Sequence, residues 1–283
     1  MKARYYSIDD GGVRCGLCPH RCLIPEGMAG RCLARANRDG SLVAEGYGQV
    51  TSMALDPVEK KPLYYFHPGR HILSVGSYGC NMSCPFCQNH DISQERARAK
   101  YVSPIELADA AAESAVSGDN IGVAFTYNEP LISAEYILDA APLLKERGMN
   151  VVLVTNGYAN PEVISDLLPW VDAVNIDLKA FADEFYKRCG GSLEPVKYSI
   201  EAFAACCHVE LTTLIVPGWN DDPDMMAAQA DWIASVSPDI PLHLSRFFPR
   251  YRMAGADPTA ISSLKKLEAI AKDRLRYVSL GNV

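Results

Sequence analysis

Residues 79–89, GCNMSCPFCQN, place three thiols at Cys80, Cys84 and Cys87, separated by three residues and then by two. Three is an odd number for disulfides, and a closed tetrahedral zinc site takes four ligands. Three thiolates so close together suit a metal centre that keeps one coordination position open; the count also allows a zinc ion completed by His90. A second group, Cys15, Cys18, Cys22 and Cys32, has the spacing Cys-x2-Cys-x3-Cys-x9-Cys. Four thiolates saturate a metal without help, as tetrahedral zinc or as an iron–sulfur cluster, and spacing does not choose between the two. Arg21 and Arg31 flank this quartet and offset its charge. Cys189, Cys206 and Cys207 are scattered and read as small buried hydrophobes.

The elements that must carry these groups can be read from periodicity. Residues 1–70 hold many turn residues, as in PEGMAG and RDGS, and read as an irregular segment organised by metal more than by a core of its own. LVAEGYGQV and MALDPVEKKPLYYF add short strands there or cover an edge of the region beyond residue 70. From residue 71 to 283 short apolar, β-branched runs alternate with helical patterns, beginning near residues 72, 121, 151, 172, 208 and 241, with a trailing strand in LRYVSLGNV. The first long helix carries its own signals, a Ser103 N-cap, Pro104 in the first turn and Gly118 at the end. Six βα units are fewer than the eight of a closed barrel, so the expected fold is α/β, an open (β/α)6 barrel. Its active site belongs at the carboxyl ends of the strands. The polar motifs do fall just after strands.

Composition narrows the classes. The 283-residue chain is 48% hydrophobic, with a mean hydropathy of -0.04, which is ordinary for a protein with a sizeable core. No run of about 18 apolar residues points to a membrane span, and the first residues lack the apolar stretch of a secretory signal. A net charge of -7 argues against a nucleic-acid partner. Ten cysteines without a secretory context favour metal or redox chemistry in the cytoplasm.

The triplet spacing Cys-x3-Cys-x2-Cys, with Phe86 before the last thiol, resembles the signature of radical S-adenosylmethionine (radical SAM) enzymes. The resemblance implies a 4Fe–4S cluster on Cys80, Cys84 and Cys87. Its fourth iron is chelated by S-adenosylmethionine, and an electron through the cluster cleaves the cofactor to methionine and a 5′-deoxyadenosyl radical. Such clusters reach potentials down to about -700 mV. It further implies that Phe86 shields the sulfurs and that the turn Tyr127-Asn128-Glu129-Pro130 holds the methionine amino group, with Tyr127 and Asn128 in place of the family's glycines. VTNG and NIDLK resemble the glycyl-radical-enzyme activases, including pyruvate formate-lyase activating enzyme, which puts Asn156, Asp177 and Lys179 beside the cofactor. Val154 stands where those activases carry an Asp. LIVPGWNDD again matches the activase pattern, with Pro217 and Gly218 shaping a turn.

HLSRFFPRYRM places His243 and Ser245 on one strand face, with His243 toward the lumen, and gives Arg246, Arg250 and Arg252 to a basic rim. His243 and Arg246 are the expected catalytic pair. LCPHRC, TYNEP, NIDLK, HLSRFFPRYRM and YVSLGNV together resemble the radical SAM component of the AmmeMemoRadiSam system, a branch of the activating-enzyme-like group. That branch implies an electron donor of flavodoxin or ferredoxin type and an unidentified protein or small-molecule substrate. Two other classes are weighed beside it, an activase acting on a protein glycine and a non-catalytic zinc-binding interaction protein.

Overall fold

The computed structural model describes residues 1–283, with Ser117 described by its backbone alone. Its centre is an eight-stranded sheet. In chain order the strands are β1 (Ser52–Pro57), β2 (His71–Gly76), β3 (Asn120–Phe125), β4 (Asn150–Thr155), β5 (Ala173–Asp177), β6 (His208–Ile215), β7 (Leu242–Arg246) and β8 (Val278–Gly281). Each pairs with its chain neighbour, and every pairing from β2 to β8 is parallel. β1 runs antiparallel to β2 and forms one edge, while β8 forms the other. The expected open α/β barrel is thus observed. The sheet also takes in β1, which precedes the change of pattern read at residue 71.

Helices connect successive strands: α1 (Pro104–Gly118), α2 (Ala134–Glu146), α3 (Pro161–Leu167), α4 (Asp183–Cys189), α5 (Glu194–Ala204), α6 (Pro223–Val236) and α7 (Ile261–Lys272). The start of α1 is the one its sequence predicts. Ser103 accepts from the Glu106 amide and Glu106 answers to the Ser103 amide, so two orphan donors of the first turn are satisfied together. All six residues of β3 are buried, as expected of a strand covered on both faces.

The connection from β1 to β2 plugs the amino-terminal end of the barrel. Pro57 lies opposite His71 in the ladder, so the intervening chain must cross below the strands. Val58 and Leu63 are fully buried there against Ile72, Ile121, Val152 and Ala173. Polar ties hold the plug in place: Asn175 Nδ2 donates to the carbonyl of Pro62 at 2.8 Å, and the Tyr64 and Tyr65 amides donate to Glu210 at 2.9 and 2.8 Å.

The remaining N-terminal chain forms small antiparallel pieces, a three-stranded sheet of Tyr6–Asp9, Gly12–Cys15 and Leu23–Ile24, and a ribbon of Arg35–Arg38 with Ser41–Ala44. Arg21 and Leu33, each beside a quartet cysteine, adopt left-handed backbone at φ 43 and φ 65. Such conformations cost a non-glycine residue about 1–2 kcal/mol and persist only where the surroundings impose them.

Candidate active site

A cavity of about 580 Å³ opens at the carboxyl ends of the parallel strands and reaches down to the plug. Cys80, Cys84 and Cys87 line its upper wall, on the loop after β2. That loop is built largely from hydrogen bonds. Gly79 N donates to the Ile92 carbonyl, Ser83 N to the Cys189 carbonyl and Asn81 Nδ2 to the Tyr158 carbonyl, at 2.8, 2.8 and 2.6 Å. Gly79 has φ +89, and a Cβ there would overlap the carbonyl of Cys32, so both the turn and the close approach require glycine. Phe86 is buried beside Phe185 and Trp219, ring centroids 5.8 and 6.3 Å away, and lines the same cavity.

The three thiols sit in different fields. Burial raises those of Cys80 and Cys87. A hydrogen bond from Cys189, together with the nearby Lys179 ammonium, brings Cys84 down to about 7 against its own burial. Among the described residues no three His, Cys, Asp or Glu side chains converge on one point as a metal's ligands would, and this holds for triplet and quartet alike. The donor set nevertheless fits a cluster bound through three thiolates: soft sulfurs on a short loop, beside a cavity large enough for a cofactor-sized ligand.

Beside the triplet, Glu129 ends the turn after β3. It is buried, accepting from Leu131 N at 2.9 Å, Thr155 Oγ1 at 2.6 Å and Asn156 N at 2.7 Å. Desolvation outweighs those bonds and lifts its carboxyl to about 7. A cation brought beside such a buried carboxylate would stabilise its charged form. Asn156 donates to Asn81 Oδ1 at 2.9 Å, which ties the end of β4 to the triplet loop. Asn128 bridges in the same sense, accepting from Ser77 N at 2.9 Å and donating to the Gly79 carbonyl at 3.0 Å. Asp177 and Lys179 form a 2.8 Å pair on the cavity wall. Burial opposes the Lys179 charge, but Asp177 and Cys84 hold it protonated.

Tyr127 occupies left-handed backbone at φ 70, a conformation that suits the glycine it replaces in the family pattern. Its ring packs over Gly76, its hydroxyl donates to Asp56 at 2.8 Å, and the Lys61 ammonium stands 4.6 Å from the ring centroid. Asp56 also accepts from Lys60 and Lys61 at 3.1 and 2.9 Å. The cavity floor therefore carries the Lys60 and Lys61 ammonium groups and the Glu59 carboxylate, with Asp56 bonded to both lysines behind the lining. His243 lines this lower part but has both ring nitrogens engaged: Nε2 with Glu210 at 2.6 Å and Nδ1 with Ser279 at 2.6 Å, with its ring 4.5 Å from that of Tyr64. Glu210 opposes its own burial with bonds from His208, His243 and the Tyr64 and Tyr65 amides, which hold it down to about 2.

Arg246, expected at the reacting centre, points elsewhere. Strand alternation sends His243 and Ser245 into the cavity and turns Arg246 away, so that its Nε donates to the Thr259 carbonyl at 2.8 Å and its guanidinium covers the Phe248 ring. Asp56, Lys61 and Glu210 join the site without having been singled out in the sequence, and Cys189, read as a small buried hydrophobe, is buried but bonds Cys84; Cys206 is exposed and Cys207 half-buried, against the same reading. Two signals were available: the Asp-x4-Lys pair inside DPVEKKP, and the one charged residue in the otherwise uncharged run VELTTLIV.

The quartet lies behind the triplet loop. Cys15, Cys18, Cys22 and Cys32 surround a separate small cavity that Arg35 and Asn81 also line. Burial lifts the thiols of Cys18 and Cys32 to about 12 and about 11. Arg35, itself buried, makes a bidentate pair with the buried Glu135, both bonds 2.8 Å, while its Nε has no hydrogen-bond partner among the described residues.

Comparison with known proteins agrees with this arrangement. Residues 74–230 match the family model described as the radical SAM superfamily. An uncharacterised protein of Methanocaldococcus jannaschii is 39% identical over 285 aligned positions, covering 99% of this chain and 84% of that one. Pyruvate formate-lyase 1-activating enzyme of Escherichia coli is 30% identical over 155 residues, covering 52% of this chain and 61% of the enzyme. A solved domain of a pyruvate-formate lyase-activating enzyme from Bacteroides vulgatus shares the fold with TM-score 0.51 and 19% identity, covering 57% of this chain and 99% of that domain. Methylornithine synthase does so with TM-score 0.52 and 13% identity, covering 76% and 73%. The sulfur triplet at the end of the first parallel strand, the buried glutamate beside it and the matched residues lead to one assignment: this chain belongs to the radical SAM superfamily.

Proposed function

We propose that this protein reductively cleaves S-adenosylmethionine at a 4Fe–4S cluster held by Cys80, Cys84 and Cys87, and that the resulting 5′-deoxyadenosyl radical takes hydrogen from a substrate in the cavity. The observation that carries this reading is the joint lining of one cavity of about 580 Å³ by the three thiols, Glu129, Asn156 and the Asp177–Lys179 pair. The cluster supplies the electron that splits the sulfonium C–S bond; the rest is positioning by the protein. Glu129 receives the cofactor's ammonium. Asn156 keeps the triplet loop in register with β4, and Asp177 and Lys179 address the ribose and carboxylate. Phe86 excludes water from the sulfurs. Tyr127 and Asn128 fix the turn that carries Glu129. His243 holds the floor in shape through Glu210, and Arg246 acts on the rim through Thr259.

Residues 71–283, together with the edge strand β1 and the plug that precede them, are the catalytic core in this reading, and the chain before β1 is a metal-binding segment whose quartet takes zinc or a second iron–sulfur cluster. An external reductant of flavodoxin or ferredoxin type must feed the triplet. Ten thiols outside disulfides suit a reducing, cytoplasmic setting. Among the described residues no helix is long and apolar enough to cross a membrane.

The test is anaerobic reconstitution with iron and sulfide, then chromatographic detection of 5′-deoxyadenosine after adding a strong reductant. Wild-type protein is expected to form it, and Cys84→Ala to form none; equal turnover in that variant would refute the assignment. Activation of a glycine in a partner protein is a second reading, favoured by the 30% identity to the Escherichia coli activating enzyme. It predicts transfer of deuterium from a labelled glycine peptide into 5′-deoxyadenosine.

A further inference from the structure

We propose that Cys15, Cys18, Cys22 and Cys32 hold one tetrahedral zinc ion, and that this ion braces the back of the triplet loop. The inference deepens the proposed second metal site and rests on it, without depending on the triplet's own chemistry.

Size separates the two metal types. The four thiols share the lining of one enclosed cavity with Leu17, His20, Ile24 and Arg35; its volume is about 10 Å³, the room of a single water-sized atom. A cube of four irons and four sulfides needs far more, whereas one ion with four thiolates is a closed tetrahedral site. Such a site bears a net charge of about -2, four thiolates against one divalent ion. Arg35 lines this same space with its Nε unpartnered and buried, so it has a donor to give to a metal-bound sulfur, the outer-shell contact that thiolate sites generally carry.

The bracing comes from alternation along residues 79–84. Cys80, Met82 and Cys84 line the large cavity. The residues between them meet the quartet segment: Gly79 packs on the carbonyl of Cys32, the Asn81 carbonyl bonds His20 Nε2 at 2.8 Å, and Ser83 Oγ accepts from Arg31 at 3.0 Å. The loop thus sends one set of side chains to the cofactor cavity and presents the other side to the quartet. The quartet segment's apolar side chains, Val13, Leu17, Ile24 and Leu42 among them, are buried in the common core, and the metal adds the cross-link that fixes that second face.

The experiment uses the full chain carrying Cys80→Ala, Cys84→Ala and Cys87→Ala together, beside wild type, both purified anaerobically and analysed for zinc, iron and sulfide. Wild type reconstituted with iron and sulfide is expected to hold about one zinc with about four irons. The triple variant is expected to keep about one zinc and no iron. Iron and sulfide in the triple variant, or no metal at all, would overturn the zinc assignment. Wild type that binds zinc but no iron would overturn the triplet reading and leave this one standing. For the brace, hydrogen exchange of the triple variant is measured with and without a zinc chelator. Amides 79–84 are expected to exchange at least about tenfold faster after chelation, with strands β3 to β6 unchanged. No change at 79–84, or a rise across the whole barrel, would refute the local brace.

Discussion

The two cysteine groups use one residue type for opposite ends, and the spaces they face make the difference. The triplet opens on a cavity of about 580 Å³ lined by charged partners, the quartet on about 10 Å³. The triplet loop turns its thiols toward the large cavity, while the quartet thiols line a small enclosed one. Charge compensation differs in the same sense. Behind the quartet, Arg35 is locked to Glu135 in a pair that water barely reaches. Facing the triplet, burial lifts the Glu129 carboxyl to about 7 although Lys179 opposes it, and Lys179 shares its charge between Asp177 and Cys84. A closed site has its charges settled on folding, and an open one leaves a charge for its ligand to settle.

Loss of a triplet thiol is the strongest way to sharpen this contrast. Cys84→Ala is expected to lower 5′-deoxyadenosine formation by more than about 10³-fold, because chemistry through the cluster is worth many kcal/mol of barrier. On the closed side, Arg35→Met leaves Glu135 buried and unpaired, an expected loss of about 3–5 kcal/mol of stability by denaturant titration. The double variant Arg35→Met, Glu135→Leu is expected to regain most of it, since two apolar groups replace a costly desolvated pair. A double variant no more stable than Arg35→Met would break the argument that the pair's worth lies in mutual compensation.

Glu129 gives a smaller, pH-dependent effect. The unfolded chain ionises this group near its ordinary value, and the folded state keeps its proton up to about 7. Between those values the folded state binds more protons, so this residue's contribution to stability declines as pH rises. An arriving ammonium reverses the sign. Affinity for S-adenosylmethionine is therefore expected to climb by about tenfold per pH unit below pH 7 and then to level. In Glu129→Gln it is expected to be about 10–100-fold weaker and flat with pH, by equilibrium dialysis of reconstituted protein. A wild-type profile without slope would show that another group takes the cation. Smallest is Tyr127→Phe, which removes one bond to Asp56 and is expected to cost about 1 kcal/mol of stability, with the cluster's absorbance unchanged.

Much of this architecture is legible from residues alone. βα alternation, the helix start at Ser103, the open barrel and the placing of motifs after strands depend on periodicity and caps, which are local. Arg246 shows where that reasoning stops. Its place in a basic run suggests a role at the centre, but one step along a strand reverses the direction of a side chain, and that step is visible only once the inward face is known. His243 points inward as the alternation requires, while its engagement by Glu210 and Ser279 depends on two neighbouring strands.

The sequence by itself determined the order of the elements, the two thiol groups and the polar residues at the strand ends, since each is set by neighbours a few positions away. Only the tertiary structure decided that Asp56 and Lys61 sit under Tyr127, that Glu210 gathers Tyr64, Tyr65 and His243, and that the quartet backs the triplet loop. Those contacts join residues separated by 71 positions for Tyr127 with Asp56 and 145 for Tyr65 with Glu210. No local propensity reaches that far. They exist because the barrel must close its lower end and most buried donors of its loops need partners.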